Sequence, residues 1–348
     1  MQPRDSDPAK VLVINVSRIG DTLLCTPALR AIASAWPACK ITFFGHPKRV
    51  EVIRHLPFLT RVGAISKQRA PWLGRLSALF GNRYDLAFVY GHDKPLLEFA
   101  LRVAKRVVAF RQEDEAINSR LYRAVDHPAF QTTHAVNIQL LLPAALGVKP
   151  TGLALAYRVT DEESAWAAAE SGKTLPAGAG PLIGLQVASF PTKAYRDWPI
   201  EYFMALCDRI LIAYPAAHFL IFGGKEEQTR TEGLKTHLGT RASLYAGRLS
   251  LRQTAALMNR LDLYVGVDTG PTHLMGALHR PMVALYHAYS PSRVLAPLDH
   301  PCTYPVDHPR ADQGASPETP MAEISVAAVW DKVATALASP LAKQGFPV

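Results

Sequence analysis

Short apolar runs alternate with longer amphipathic stretches along most of the chain. The runs KVLVINV (10–16), KITFF (40–44), RVGAI (61–65), YDLAFVY (84–90) and RVVAF (106–110) are rich in β-branched and aromatic residues. Near-continuous apolar runs of this kind predict strands covered on both faces, as in a parallel sheet. Helical patterns fall between them at 46–56, 71–81 and 94–105, and a long apolar helix is expected over 133–146. Residues 147–159, with the turn residues of LGVKPTG, read as a linker. The series then restarts. Strands are expected at 181–187, 217–224, 243–246, 262–267 and 281–286, with helices at 161–170, 200–214, 225–238, 250–260 and 322–338. Two βαβ series predict two Rossmann-like, doubly wound α/β domains facing a cleft, 1–155 and 156–348. A return of the final helix onto the first domain is left open.

Length agrees, since 348 residues exceed what one hydrophobic core usually supports. No apolar run is long enough to cross a membrane. The first ten residues carry no apolar signal region, so a cytoplasmic protein is expected. The four cysteines (Cys25, Cys39, Cys207, Cys302) show no CxxC spacing and fit free thiols. The net charge of +9 is unevenly distributed: 1–155 hold 21 Lys/Arg and 11 Asp/Glu, whereas 156–348 hold 17 and 18. Within the first half, 40–111 alone hold 14 basic and 4 acidic residues, Lys48, Arg49 and Arg61 among them. Such asymmetry suggests an anionic partner for the first half. A solvated basic surface accounts for it equally well.

Four segments carry candidate chemistry. Ser17-Arg18-Ile19-Gly20-Asp21 follows the first strand, where an open α/β sheet presents groups to ligands. Asp21 can serve there as a general base or simply cap the next helix. Asp268-Thr269-Gly270-Pro271-Thr272-His273 joins a strand to a helix whose free N–H groups suit a phosphate. His273 lies one turn in, where a structural role and a ligand contact are both open. Thr192, Lys193 and Arg196 lie in a loop after another strand and can neutralise a diphosphate, or be merely exposed. Gly223-Gly224-Lys225-Glu226-Glu227 ends a strand and can offer a carboxylate to ribose hydroxyls, although both acids also suit a first helical turn. The sequence has no GxGxxG after a strand, no GxxxxGK[ST], no GxSxG and no HExxH. His273, His279, His287, His300 and His308 lack metal-ligand spacing.

Taken in order, these segments resemble glycosyltransferase family 9, the bacterial ADP-heptose:lipopolysaccharide heptosyltransferases. The resemblance rests on VLVINVSRIGDTLLCTPALRAI, ASFPTKAYRDWPIEYF, FGGKEE and VDTGPTHLMGALHRPMVALY, and spans roughly 10–340. It implies a GT-B fold and an inverting, metal-independent transfer with no cofactor, the ADP-sugar being a substrate. It places the catalytic base on Asp21, the diphosphate cation on Arg196 and the ribose contact on Glu227, with Glu226 as second choice. Asp268, Thr269, Gly270, His273, Thr192 and Lys193 complete the donor side. Arg18, Gly20, Lys48, Arg49 and Arg61 are the acceptor-side candidates. The implied partners are a nucleotide-sugar, an anionic lipopolysaccharide core and the adjoining anionic membrane surface, with no nucleic acid. Tyr286-His287-Ala288-Tyr289-Ser290 departs from the family's Phe-Gly-Pro-Thr-like turn. Two alternatives stand beside this reading: a transferase or epimerase of the same fold using another nucleotide-sugar, and a basic module binding nucleic acid or a membrane surface.

Overall fold

The computed structural model describes residues 7–78, 83–129 and 131–339. It divides into two units, residues 1–157 and 158–348. In the first, β1 (Lys10–Asn15), β2 (Lys40–Gly45), β3 (Arg61–Ala64), β4 (Tyr84–Tyr90), β5 (Ala104–Phe110) and β6 (Arg123–Val125) form one parallel sheet in the order β3-β2-β1-β4-β5-β6. The helices are α1 (Ile19–Leu24), α2 (Thr26–Ala35), α3 (Ala70–Ala78), α4 (Lys94–Val103), α5 (Glu115–Asn118) and α6 (Ala135–Ala144). Val11 to Ile14 of β1 are all fully buried, as a central strand covered on both faces requires.

The second unit repeats the plan. Its helices are α7 (Asp161–Thr174), α8 (Ile200–Ala213), α9 (Gln228–Leu238), α10 (Leu251–Met258), α11 (Gly270–Ala277), α12 (Ser292–Leu295) and α13 (Val326–Ala338). Its strands β7 (Leu182–Gln186), β8 (His218–Phe222), β9 (Ala242–Leu244), β10 (Leu263–Val267), β11 (Met282–Tyr286) and β12 (Thr303–Asp307) run in the order β12-β11-β10-β7-β8-β9. That is the same topology read from the other edge. In each unit the chain reverses its winding beside the first strand, between β1 and β4 and between β7 and β10. The loops leaving those strands part to opposite faces and open a crevice at the carboxyl ends.

Several elements differ from expectation. The stretch 46–56 forms only a single 3₁₀ turn at Val50–Ile53, with Pro47 and Pro57 on either side. Part of the expected helix 71–81 lies outside the described residues. The edge strands β6 and β12 went unpredicted: β6 is three residues long and β12 contains Pro305, which an edge strand tolerates. The final helix α13 packs on α8 and on β10, β11 and β12 of its own unit.

The basic surplus of the first unit is not one patch. Lys10, Lys40, Arg61, Lys105 and Arg123 all lie at or next to strand starts, the sheet end that receives the negative carboxyl termini of the helices. Lys67, Lys94, Arg102, Lys105 and Arg111 are ion-paired to Asp93, Asp114, Glu98, Asp85 and Asp126.

Histidines brace the second unit. His300 Nδ1 accepts the N–H of Cys302, its ring stacks on that of His279, and its Nε2 is buried without a partner among the described residues. Burial, with His279 alongside, pushes its pKa down to about 3. An unfolded histidine takes its proton near ~6.5, so between those values the unfolded state binds more protons and stability falls as pH falls. His300→Gln is expected to flatten the loss of Tm on acidification from about pH 6.5 to about pH 4 in thermal unfolding. An unchanged slope would show that His300 takes up its proton within the fold.

Candidate active site

In the second unit, β7 leads into residues 187–199, a loop tied at both ends. The backbone N–H of Ser189 donates to Asp197 Oδ1 at 2.7 Å, and Ser189 Oγ lies 2.7 Å from both that oxygen and the carbonyl of Lys193. Arg230, reaching from α9, donates to Asp197 Oδ2 at 3.1 Å and to the Trp198 carbonyl at 2.9 Å. Burial pushes the Asp197 carboxyl up despite these donors. Trp198 is fully buried and donates its Nε1–H to the Ile324 carbonyl at 2.8 Å.

The tied loop delivers Arg196 to Asp268, the residue after β10. Arg196 Nη1 lies 2.6 Å from Asp268 Oδ2, and the Asp268 side chain is wholly buried. His273 Nε2 lies 3.4 Å from the other carboxylate oxygen. Burial alone would push the Asp268 carboxyl up; His273 and the Arg196 charge together hold it below the usual carboxylate range. Thr269 is the N-cap of α11, yet its hydroxyl caps nothing. Thr269 Oγ1 and His273 Nδ1 are buried and have no hydrogen-bond partner among the described residues. Buried polar atoms are almost always paired, so these two beside a guanidinium and a helix start are suited to a polar, anionic ligand. Gly266 keeps the arrangement possible. A Cβ there would come within 2.6 Å of the Tyr264 hydroxyl, which reaches Thr272 Oγ1 in the first turn of α11.

Lys193 is half-buried, and its Nζ and the Arg196 guanidinium each lie 5.5 Å from the centre of the Tyr195 ring. Thr192 is exposed. After β8, Glu227 accepts the N–H of Gly224 within its own turn, and burial pushes its carboxyl up. One of its oxygens is thus used locally, while Glu226 is fully exposed.

In the first unit, residues 17–21 follow β1 at the corresponding crevice. Arg18, extended and exposed, is the N-cap of α1, and no side chain caps that helix. Asp21 is its third residue, exposed, with no partner for its carboxylate among the described residues. It therefore does not act as the cap. Gly20 is buried, and Asn15 Nδ2 donates to the Asp21 carbonyl at 3.4 Å. Arg49, from the turn after β2, donates to the Ser17 carbonyl at 3.2 Å, with exposed Lys48 beside it. Arg61 is not brought to this group. It opens β3, paired with Thr42 at the amino end of the sheet, so it drops out of an acceptor patch built around Asp21.

Sequence reasoning missed Asp197, Arg230 and His287. His287 accepts the Tyr289 N–H at Nδ1 and contacts the Thr319 carbonyl at 2.7 Å through Nε2, which makes it the neutral Nε2–H form. Its ring meets that of Tyr195 edge-on at 5.0 Å. The departure at 286–290 is thus a built-in brace for the loop 187–199. Arg230 and His287 carry no local sequence signal, because each acts on a segment distant along the chain, whereas Asp197 works within its own loop.

Residues 81–318, more than half of the chain, match the model of glycosyltransferase family 9 (heptosyltransferase). The chain belongs to this family. Among curated proteins, it is similar to lipopolysaccharide heptosyltransferase 1 of Pseudomonas aeruginosa, with 27% identity over 84% of this chain and 85% of the relative. Among solved structures, it is similar to a glycosyl transferase family 9 protein of Veillonella parvula (TM-score 0.80, 20% identity, 94% of this chain and 97% of that one). It also matches the E. coli ADP-heptose lps heptosyltransferase II (TM-score 0.75, 18% identity, 94% and 98%). These likenesses agree with the two parallel-sheet units, the GT-B architecture. Glycosyl transfer of the heptosyltransferase class is the activity of this family 9 enzyme.

Proposed function

We propose that this glycosyltransferase moves heptose from ADP-heptose to the anionic inner core of lipopolysaccharide, at a Kdo or heptose hydroxyl, with inversion at the anomeric carbon. The observation that carries the reading is the start of α11, where Thr269 Oγ1 and His273 Nδ1 stand buried and unpartnered beside the Arg196–Asp268 pair. Asp21 takes the proton of the acceptor hydroxyl as that oxygen attacks the anomeric carbon. The bond from the sugar to the β-phosphate breaks, and ADP departs from the opposite face. Arg196, His273 and the N–H groups of α11 receive the diphosphate charge, and neither a metal nor a cofactor is assigned a role. Arg196 donates Nη1 to Asp268 and Nε to the Tyr195 hydroxyl, which orients the guanidinium for the phosphate. Glu227, with one oxygen occupied by its own turn, offers the other to the ribose. The similarity to the E. coli ADP-heptose enzyme favours ADP over another nucleotide. Addition of ADP is expected to raise Tm by several degrees at saturation, about 4 °C or less for UDP or GDP at equal concentration. A larger response to UDP or GDP would transfer the enzyme to another nucleotide-sugar.

A further inference from the structure

Helix α3 has two unlike faces. Ala70 is fully buried, Leu73 packs against the core of the first unit, and Gly74 lies against Phe99 and Arg102 of α4. The opposite face carries Trp72 and Leu76, which are 64% and 46% exposed. Four residues apart, they stand one above the other. Arg75 on the same helix and Arg69 just before it are exposed on that side, and neither guanidinium has a partner among the described residues. Lys67, also exposed, is tied to Asp93. Among the described residues only two other large apolar side chains are exposed, Phe190 in the loop 187–199 and Ile212 on α8, both in the second unit. Because α3 follows β3, this face begins at the carboxyl end of the sheet, the end that bears Asp21.

A tryptophan and a leucine between two unpaired arginines suit one environment in particular. The indole rests at headgroup depth, leucine enters the acyl boundary, and the guanidinium groups meet lipid phosphates. A protein partner would match the apolar pair, but unpaired cations on both sides call for a surface of negative charge. We infer that the outer face of α3 docks this enzyme on an anionic bilayer, through Trp72 and Leu76 with Arg69 and Arg75. That the acceptor is anchored in such a bilayer rests on the function proposed above; the docking face does not.

The test uses the full-length protein and vesicles of phosphatidylcholine with or without about 30% phosphatidylglycerol, in flotation without nucleotide-sugar. The wild type is expected to bind the anionic vesicles and to bind less when salt rises from about 0.05 to about 0.5 M. The pairs W72S/L76S and R69E/R75E are each expected to weaken binding by about tenfold or more, whereas I212S leaves it unchanged. All four positions are exposed, and an unchanged Tm verifies that the variants fold. Turnover on a delipidated core oligosaccharide is expected to be unaffected, while turnover on the same acceptor embedded in vesicles falls. Equal vesicle binding by wild type and both pairs would overturn the inference. So would a loss of self-association in sedimentation with no vesicle binding by the wild type, which would make this face a contact between copies. Vesicle binding without any turnover of ADP-heptose would overturn the proposed reaction instead and leave the docking face standing.

Discussion

Asp21→Asn is expected to lower kcat by about 10²–10⁴-fold while leaving the affinity for ADP unchanged. The side chain is exposed and has no partner among the described residues, so the amide fits the same space and removes only the ability to take a proton. Steady-state kinetics with titration of ADP by calorimetry separates the two quantities. Near-normal turnover would remove Asp21 as the base. A parallel loss of ADP affinity would show instead that the substitution had disturbed the fold. The wild-type structure already excludes one competing role, because α1 begins at Arg18 with no side-chain cap and Asp21 is not spent on closing the helix.

Arg196→Ala is expected to have the second largest effect, and on two quantities at once. Losing a charged donor to the diphosphate should raise the Kd for ADP by about tenfold to a hundredfold. It also leaves the wholly buried Asp268 carboxylate with His273 alone. Removing one partner of a buried pair costs about 3–5 kcal/mol, so Tm should drop as well. Adding Asp268→Asn removes the stranded charge. The double variant should therefore regain much of the Tm and none of the ADP affinity. Recovery of ADP affinity in the double variant would show that Arg196 acts only by neutralising Asp268.

Most of the architecture was legible because most of its strands are central ones. Val11–Ile14 of β1 and Leu263–Val267 of β10 are buried on both faces, and such a strand must be apolar throughout. The edge strands β3 and β9 were legible as well, whereas β6 is only three residues long and β12 carries Pro305, so neither shows a strand-like run. The motif residues fell where the topology opens each sheet, since Ser17–Asp21 follows β1 and Asp268–His273 follows β10. Arg61 shows the opposite case. Its membership of a basic segment suggested a place beside Lys48 and Arg49, yet a strand about 3.3 Å long per residue carries it to the far end of the sheet. Charge summed along a sequence takes no account of that distance.

Two matters were decided at different levels. The sequence by itself determined two repeated βαβ units, the turns at which each sheet opens, and the residue types at those turns, because apolar periodicity and turn chemistry are local properties of the chain. Only the tertiary structure decided which of those residues work together. It brought Arg196 to Asp268 across 72 positions through Ser189, Asp197 and Arg230, left Asp21 free of a capping role, and turned His287 into a brace. It also dispersed the basic surplus to strand starts and ion pairs, leaving Arg69 and Arg75 without a partner among the described residues, beside exposed Trp72 and Leu76. The physical reason is the same throughout. A charge or hydrogen bond acts over a few ångströms in space, and only packing sets which distant residues come that close.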